Sequence, residues 1–260
     1  MMSWRKKRAR EPRHPEWRQS RRVNFVIENP LDGLLWRSPA IQLLERDNSD
    51  REVFTVQCRT SYCRYGAPYQ KRTNFLTSLC ELVLRPPCSR ADPCPAFATG
   101  RHAAQAASVS QRAVNSVPEG IVHAVIAEWI RVSPQRYFLF VDAFAGFASV
   151  SAGVESYGAD VELVSNDLFR ESRGSVDFDC SKAHTLEDLM LLGFGRMRAR
   201  IPTLHLNEVA VLFWCSTPCQ SYGPQGRGYH RPKGGKLTQT ARLHDELNNG
   251  MAKYLYLTRE

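Results

Sequence analysis

Residues 137–153, YFLFVDAFAGFASVSAG, decide the fold. Tyr137 to Val141 form a short apolar run of the kind buried inside a parallel sheet. Asp142 to Gly146 supply the small residues of a tight turn, and Ser149 onward opens a helix. Strand, turn and helix in that order begin a βαβ unit. VELVSND (161–167) continues it with a strand, LEDLMLLGF (186–194) with a helix and VAVLFWCS (209–216) with another strand. Toward the N-terminus, VNFVIENP (23–30), EVFTVQC (52–58) and NFLTSLCELVL (74–84) read as strands. EGIVHAVIAEWIRV (119–132), behind Pro118, reads as a helix. Residues 86–111 read as loop, and TQTARLHDELNNGMAKYLYL (238–257) follows a helical pattern. Strands alternating with helices predict an α/β, Rossmann-like fold: a mostly parallel sheet with helices on both faces.

The chain has 260 residues, 43% hydrophobic and 23% charged, which is ordinary globular usage. Its net charge of +9 is uneven. Residues 1–22 hold nine Arg and Lys against two Glu, so the arm carries +7 and the remaining body about +2. The expected organisation is a basic disordered arm, 1–22, before one domain, 23–260. The domain divides into halves 23–136 and 137–260. RKKRAR (5–10) has the composition of a nuclear-localisation or phosphate-contacting patch. The expected location is nuclear in a eukaryote and intracellular and soluble otherwise. No apolar run is long enough to span a membrane, because His123 and Glu128 interrupt one candidate and Asp142 the other. The arm is too basic for a secretory signal, so the eight Cys are expected as thiols.

Two stretches carry chemistry. The turn Asp142–Ser149 lies between strand and helix, where small residues let the backbone approach a ligand and the helix N-terminus favours an anion. Asp167, at the end of the next strand, is placed to accept hydrogen bonds from ribose hydroxyls. Asp177 and Asp179 follow as a further acidic pair. The second stretch, Ser216-Thr217-Pro218-Cys219-Gln220-Ser221, puts a thiol in a Pro-stiffened loop at a strand's carboxyl end. Cys215 lies within the apolar run and reads as a core thiol.

Together with three further stretches, these resemble the DNA (cytosine-5) methyltransferases. Asp142–Gly146 is similar to the family's D-x-F-x-G turn, and Pro218-Cys219-Gln220 to its P-C-Q. Glu28-Asn29 resembles its E-N-V motif, Tyr65-Gly66-Ala67-Pro68-Tyr69-Gln70-Lys71-Arg72 its Y-G-x-P-Q-x-R, and Asn115-Ser116-Val117-Pro118 its N-x-V-P. The variants look closest to divergent phage, viral and protist members. The motif order is a rotation of the family's usual order, cut between P-C-Q and E-N, which reads as a circular permutation. The rival reading is a piece of a tandem array, whose two halves need not form one site.

The resemblance implies S-adenosylmethionine as cofactor and a cytosine in DNA as substrate, with RNA left open. It implies Cys219 as nucleophile, Glu28 on the base and Arg72 as the assisting cation, Lys71 being the alternative. On the cofactor side it implies Asp142, Phe144, Gly146, Asp167, Asp179, Pro218 and Asn115. Four departures stand out: Pro30 after E-N, the inserted Tyr69, Thr217 where the family often has Pro, and only Thr73 to Val114 where the family carries target recognition. An N-adenine methyltransferase would need an Asn/Asp/Ser-Pro-Pro-aromatic tetrad, which the sequence lacks. An inactive methyltransferase-like nucleic-acid-binding protein is the alternative of a different class. Cys80, Cys88, Cys94 and His102 are candidate zinc ligands, but their spacings of 8, 6 and 8 match no standard knuckle. The expectation is a site without metal.

Overall fold

A computed structural model describes residues 23–46, 55–97, 100–104, 108–145, 148–166, 176, 185–216 and 228–257. The basic arm lies outside them. The strands are β1 (Val23–Pro30), β2 (Val56–Ser61), β3 (Arg72–Thr77), β4 (Tyr137–Asp142), β5 (Val161–Ser165) and β6 (Val209–Ser216). The helices are α1 (Pro39–Arg46), α2 (Gln111–Asn115), α3 (Glu119–Val132), α4 (Ser149–Tyr157), α5 (Thr185–Arg200) and α6 (Gln239–Leu257). The six strands form one sheet in the order β2-β3-β1-β6-β4-β5. β1, β6, β4 and β5 run parallel, and β3 is antiparallel to both β1 and β2. The fold is α/β with a mostly parallel mixed sheet, and strands from residues 23–136 and from 137–260 share it.

β6 sits in the middle because its sequence is apolar on both faces. Every residue from Val209 to Cys215 is buried. Val209, Val211, Phe213 and Cys215 face a core built with α1, α5 and α6. Ala210, Leu212 and Trp214 face a second core built with α3 and α4. Trp214 stacks on Phe140 and meets Phe75 edge-on. Each large side chain buried this way stabilises the fold by about 1.5–3 kcal/mol. α5 lies close over the sheet through Gly193, where a Cβ would fall 2.4 Å from Leu139 Cδ1. No helix among the described residues is long and apolar enough to cross a membrane.

Two predicted strands have other bounds where they are described, and residues 52–54 of the first lie outside the described residues. The expected strand 52–58 is described from Val56 and runs on to Ser61, because its register follows the hairpin with β3, Val56 opposite Thr77 and Ser61 opposite Arg72. The expected strand 74–84 begins earlier and stops at Thr77. There the Thr77 hydroxyl donates to the Phe25 carbonyl and accepts the Leu79 N–H, a side-chain turn that ends the ladder. Leu79, Leu82 and Leu84 stay buried without being strand. The unforeseen helix α1 begins on Pro39, a favoured first-turn residue, and packs on α6.

His244 in α6 is buried, and burial followed by the nearby Arg231 and His230 charges lowers its pKa to about 4. The folded state therefore refuses a proton that the unfolded chain accepts. Stability falls as pH drops from about 6.5 to 4, by on the order of 2–3 kcal/mol. Denaturant titrations at pH 7 and pH 4.5 should show His244→Gln losing less stability than the wild type across that interval.

Candidate active site

The parallel strands bring most of the candidate stretches to one edge of the sheet. β4 connects outward to β5, and the chain then returns to β6 on the other side of β4. The carboxyl ends of β4 and β6 therefore flank a topological switch point, where open α/β sheets place ligands. Glu28 pairs with Ser216 in the β1–β6 register, Asp142 with Trp214 across β6, and Asp142 with Ser165 across β5. The ends of β1 and β4 are two strand spacings apart, about 10 Å. The exit of β6, leading to Cys219, lies between them.

The turn after β4 is stitched on both sides. The Ala143 N–H donates to the Trp214 carbonyl, and the Ala145 N–H to the Asn166 carbonyl at 2.8 Å. Asn166 is fully buried; its N–H donates to the Asp142 carbonyl and its side-chain amide to the Ala143 carbonyl. The Asp142 carboxylate is also buried, and Oδ2 accepts the Ser151 hydroxyl from α4 at 2.9 Å. Ala148, at the entrance to α4, has φ +55°, a left-handed conformation that costs a residue with a Cβ about 1–2 kcal/mol. Phe144 is half-buried against the α5 and α6 core.

Glu28 ends β1 with its side chain buried. Oε1 accepts the Tyr62 hydroxyl at 2.9 Å and lies 3.5 Å from Lys71 Nζ. Lys71 also sits over the Tyr62 ring, 4.6 Å from its centre. Burial and the Glu28 charge push the Tyr62 phenol well above its usual pKa, so Tyr62 stays a neutral donor. The cation that meets Glu28 is therefore Lys71. Arg72, at the start of β3, is exposed and lines a cleft of about 1040 Å³ with Arg90 and Arg101. The arrangement holds a carboxylate in place at an edge where a basic cleft opens. Tyr62 is absent from the motif reading. Pairing TSYC (60–63) with QKRT (70–73) as a hairpin would have found it, because the Tyr62 N–H donates to the Lys71 carbonyl.

The loop after β1 is held equally firmly. The Leu31 N–H donates to the Arg72 carbonyl, and the Trp36 indole N–H to the Pro30 carbonyl. Gly33 is needed there, since a Cβ would meet Asn29 Oδ1 at 2.5 Å. Tyr69, the inserted residue, is buried and donates to the Ala113 carbonyl at 2.6 Å. This ties the Y-G-x-P stretch to α2, whose last residue is Asn115. Two residues on, the Val117 N–H donates to the Ser149 hydroxyl at the start of α4. Glu28, Arg72, Asp142, Phe144 and Asn115 are thus placed around the end of the sheet. Gly146, Asp167, Asp179, Pro218 and Cys219 lie outside the described residues. Searches against protein-family models and against curated proteins find no match to this chain.

Proposed function

We propose that the chain is an S-adenosylmethionine-dependent methyltransferase acting on C5 of cytosine in DNA, built as a circular permutation. The observation that carries this reading is the shared strand end. The E-N strand lies directly beside the P-C-Q strand, which lies beside the D-x-F strand. Strand ends far apart in sequence, Glu28 of β1 and Ser216 of β6, thereby lie side by side at one switch point. The parallel β1–β6 ladder favours a permuted site over two halves of different array members. The Val117–Ser149 bond supports the direct join of the last motif to the first.

The described residues on the cofactor side fit it. A small-residue turn runs into a helix N-terminus, with buried Asp142 beneath it and Asn166 fixing its backbone. When bound, S-adenosylmethionine supplies an electrophilic methyl group. Cytosine C5 is a weak nucleophile until a thiolate adds at C6 and makes C5 enamine-like. Cys219 is that thiolate. As the thiolate adds at C6, negative charge builds at N3, which takes a proton from water; the Glu28 carboxylate then accepts the N3–H and an exocyclic amine N–H. Lys71 and Tyr62 fix the Glu28 carboxylate for that role. Arg72 lies in the basic cleft, where it offsets charge on the base or its phosphate. After methyl transfer the C5 proton leaves to water, and β-elimination frees Cys219. The base must leave the duplex stack to reach this edge.

Transfer of labelled methyl groups to duplex DNA, followed by digestion to nucleosides, tests the reading. The expected product is 5-methylcytosine. Label in N6-methyladenine or N4-methylcytosine, or no label despite cofactor binding, would overturn it.

A further inference from the structure

The turn after β2 and the loop that follows β3 bring three sulfurs and an imidazole together. Cys63, Cys88, Cys94 and His102 place their ligand atoms within 4.8 Å of one another. We propose that these four residues bind one zinc ion as a structural site. This inference does not depend on the methyltransferase reading.

The geometry is that of a tetrahedral centre. Zinc–sulfur bonds of about 2.3 Å and zinc–nitrogen bonds of about 2.05 Å put sulfur and nitrogen about 3.6 Å apart across a tetrahedron. His102 Nε2 lies 3.6 Å from Cys88 Sγ and 3.5 Å from Cys94 Sγ. The donor set is chemically selective as well. Three thiolates and one imidazole suit zinc and do not suit magnesium or calcium. Four protein ligands close the shell, which marks a structural rather than a catalytic ion. All three Cys are buried and free of disulfides.

A supporting shell surrounds the ligands. The Cys94 N–H donates to Cys88 Sγ at 3.3 Å, the Cys88 N–H to the Ser61 hydroxyl, and the Gln70 amide to the Cys88 carbonyl. Arg64, next to Cys63, donates to the Pro86 and Asp92 carbonyls and pairs with the Asp92 carboxylate. Such outer contacts fix ligand orientation at metal sites. The loop needs a staple. The described residues from Arg85 to Arg101 form no helix or strand. The buried apolar cluster they share with Cys63 consists of Cys88 and Cys94 with Ala96 and Phe97 against them, too little to hold an irregular segment of this length. Cys88 and His102 also line the cleft that holds Arg72, Arg90 and Arg101. The ion thereby sets one wall of that cleft.

The ligand set differs from the sequence expectation. Cys80 is exposed, with its thiol donating to the Ser78 carbonyl, and lies outside the cluster. Cys63, 25 residues before Cys88, takes its place. Spacing alone misses it because Cys63 sits in a turn after β2.

The test is metal analysis of the full chain purified with zinc supplied and chelator-washed. The proposal expects one zinc per chain, and a cobalt-substituted form with thiolate-to-metal charge-transfer absorption. Cys63→Ser and Cys88→Ser should each lose the ion, whereas Cys80→Ser and His102→Cys should keep one equivalent. Wild-type protein without bound zinc, a disulfide among Cys63, Cys88 and Cys94, or loss of the ion in Cys80→Ser would overturn it. The wild-type and Cys80→Ser arms remain decisive even where a ligand variant fails to fold.

Discussion

Cys219→Ala lowers the single-turnover rate of methyl transfer by about 10³-fold or more and leaves the melting temperature unchanged. The size follows from covalent catalysis. Without an adduct at C6, C5 never becomes enamine-like, and removing a nucleophile costs several orders of magnitude in comparable enzymes. Among the described residues, the thiol nearest in sequence cannot substitute. Cys215, four residues earlier, is fully buried in β6 and faces the core under α6. Residual activity within tenfold of the wild type would mean that a different atom starts the reaction. Cofactor binding, followed by calorimetry, should survive the substitution, which separates lost chemistry from lost structure.

Lys71→Met destabilises the fold by about 2–4 kcal/mol, more than any substitution of Arg72. Glu28 is buried, and its carboxylate has Lys71 as its cation and Tyr62 as its neutral donor. Removing the cation leaves a buried charge without its counter-ion, which is costly even where the intact pair adds little net stability. The combined variant Glu28→Gln, Lys71→Met should recover most of the loss, because a neutral amide needs no counter-charge. Arg72→Met, exposed in the cleft, should change stability by less than about 0.5 kcal/mol while weakening DNA binding. Urea titrations of the four proteins check the set. Equal stability for Lys71→Met and wild type would sever the link between Lys71 and Glu28.

The sequence carried the architecture where local pattern and burial agree. β4, β5 and β6 are short apolar runs ending in polar turns, and they appear as read. α3, which follows Pro118, is also where the periodicity puts it. The misreadings arise where side chains override pattern. Thr77 ends β3 by bonding the backbone, although the leucines after it remain buried. The β2–β3 hairpin sets its own register, and with it the pairing of Lys71 and Glu28. The resemblance names Arg72 as the assisting cation with Lys71 as the alternative; the fold sets Lys71 against the Glu28 carboxylate and Arg72 in the cleft. The Cys and His cluster was half legible. Cys88, Cys94 and His102 are close in sequence, but Cys63 joins them only through the fold.

Covalent trapping tests the central claim most directly. Duplex DNA carrying 5-fluorocytosine is incubated with the full chain and S-adenosylmethionine, beside Cys219→Ala. Fluorine cannot leave C5 as a proton does, so attack at C6 followed by methylation stalls as a stable adduct. The account predicts a cofactor-dependent adduct in the wild type, mapped by mass spectrometry to the peptide containing Cys219, and none in the variant. An adduct at another residue, or no adduct from protein that binds both cofactor and DNA, would contradict it.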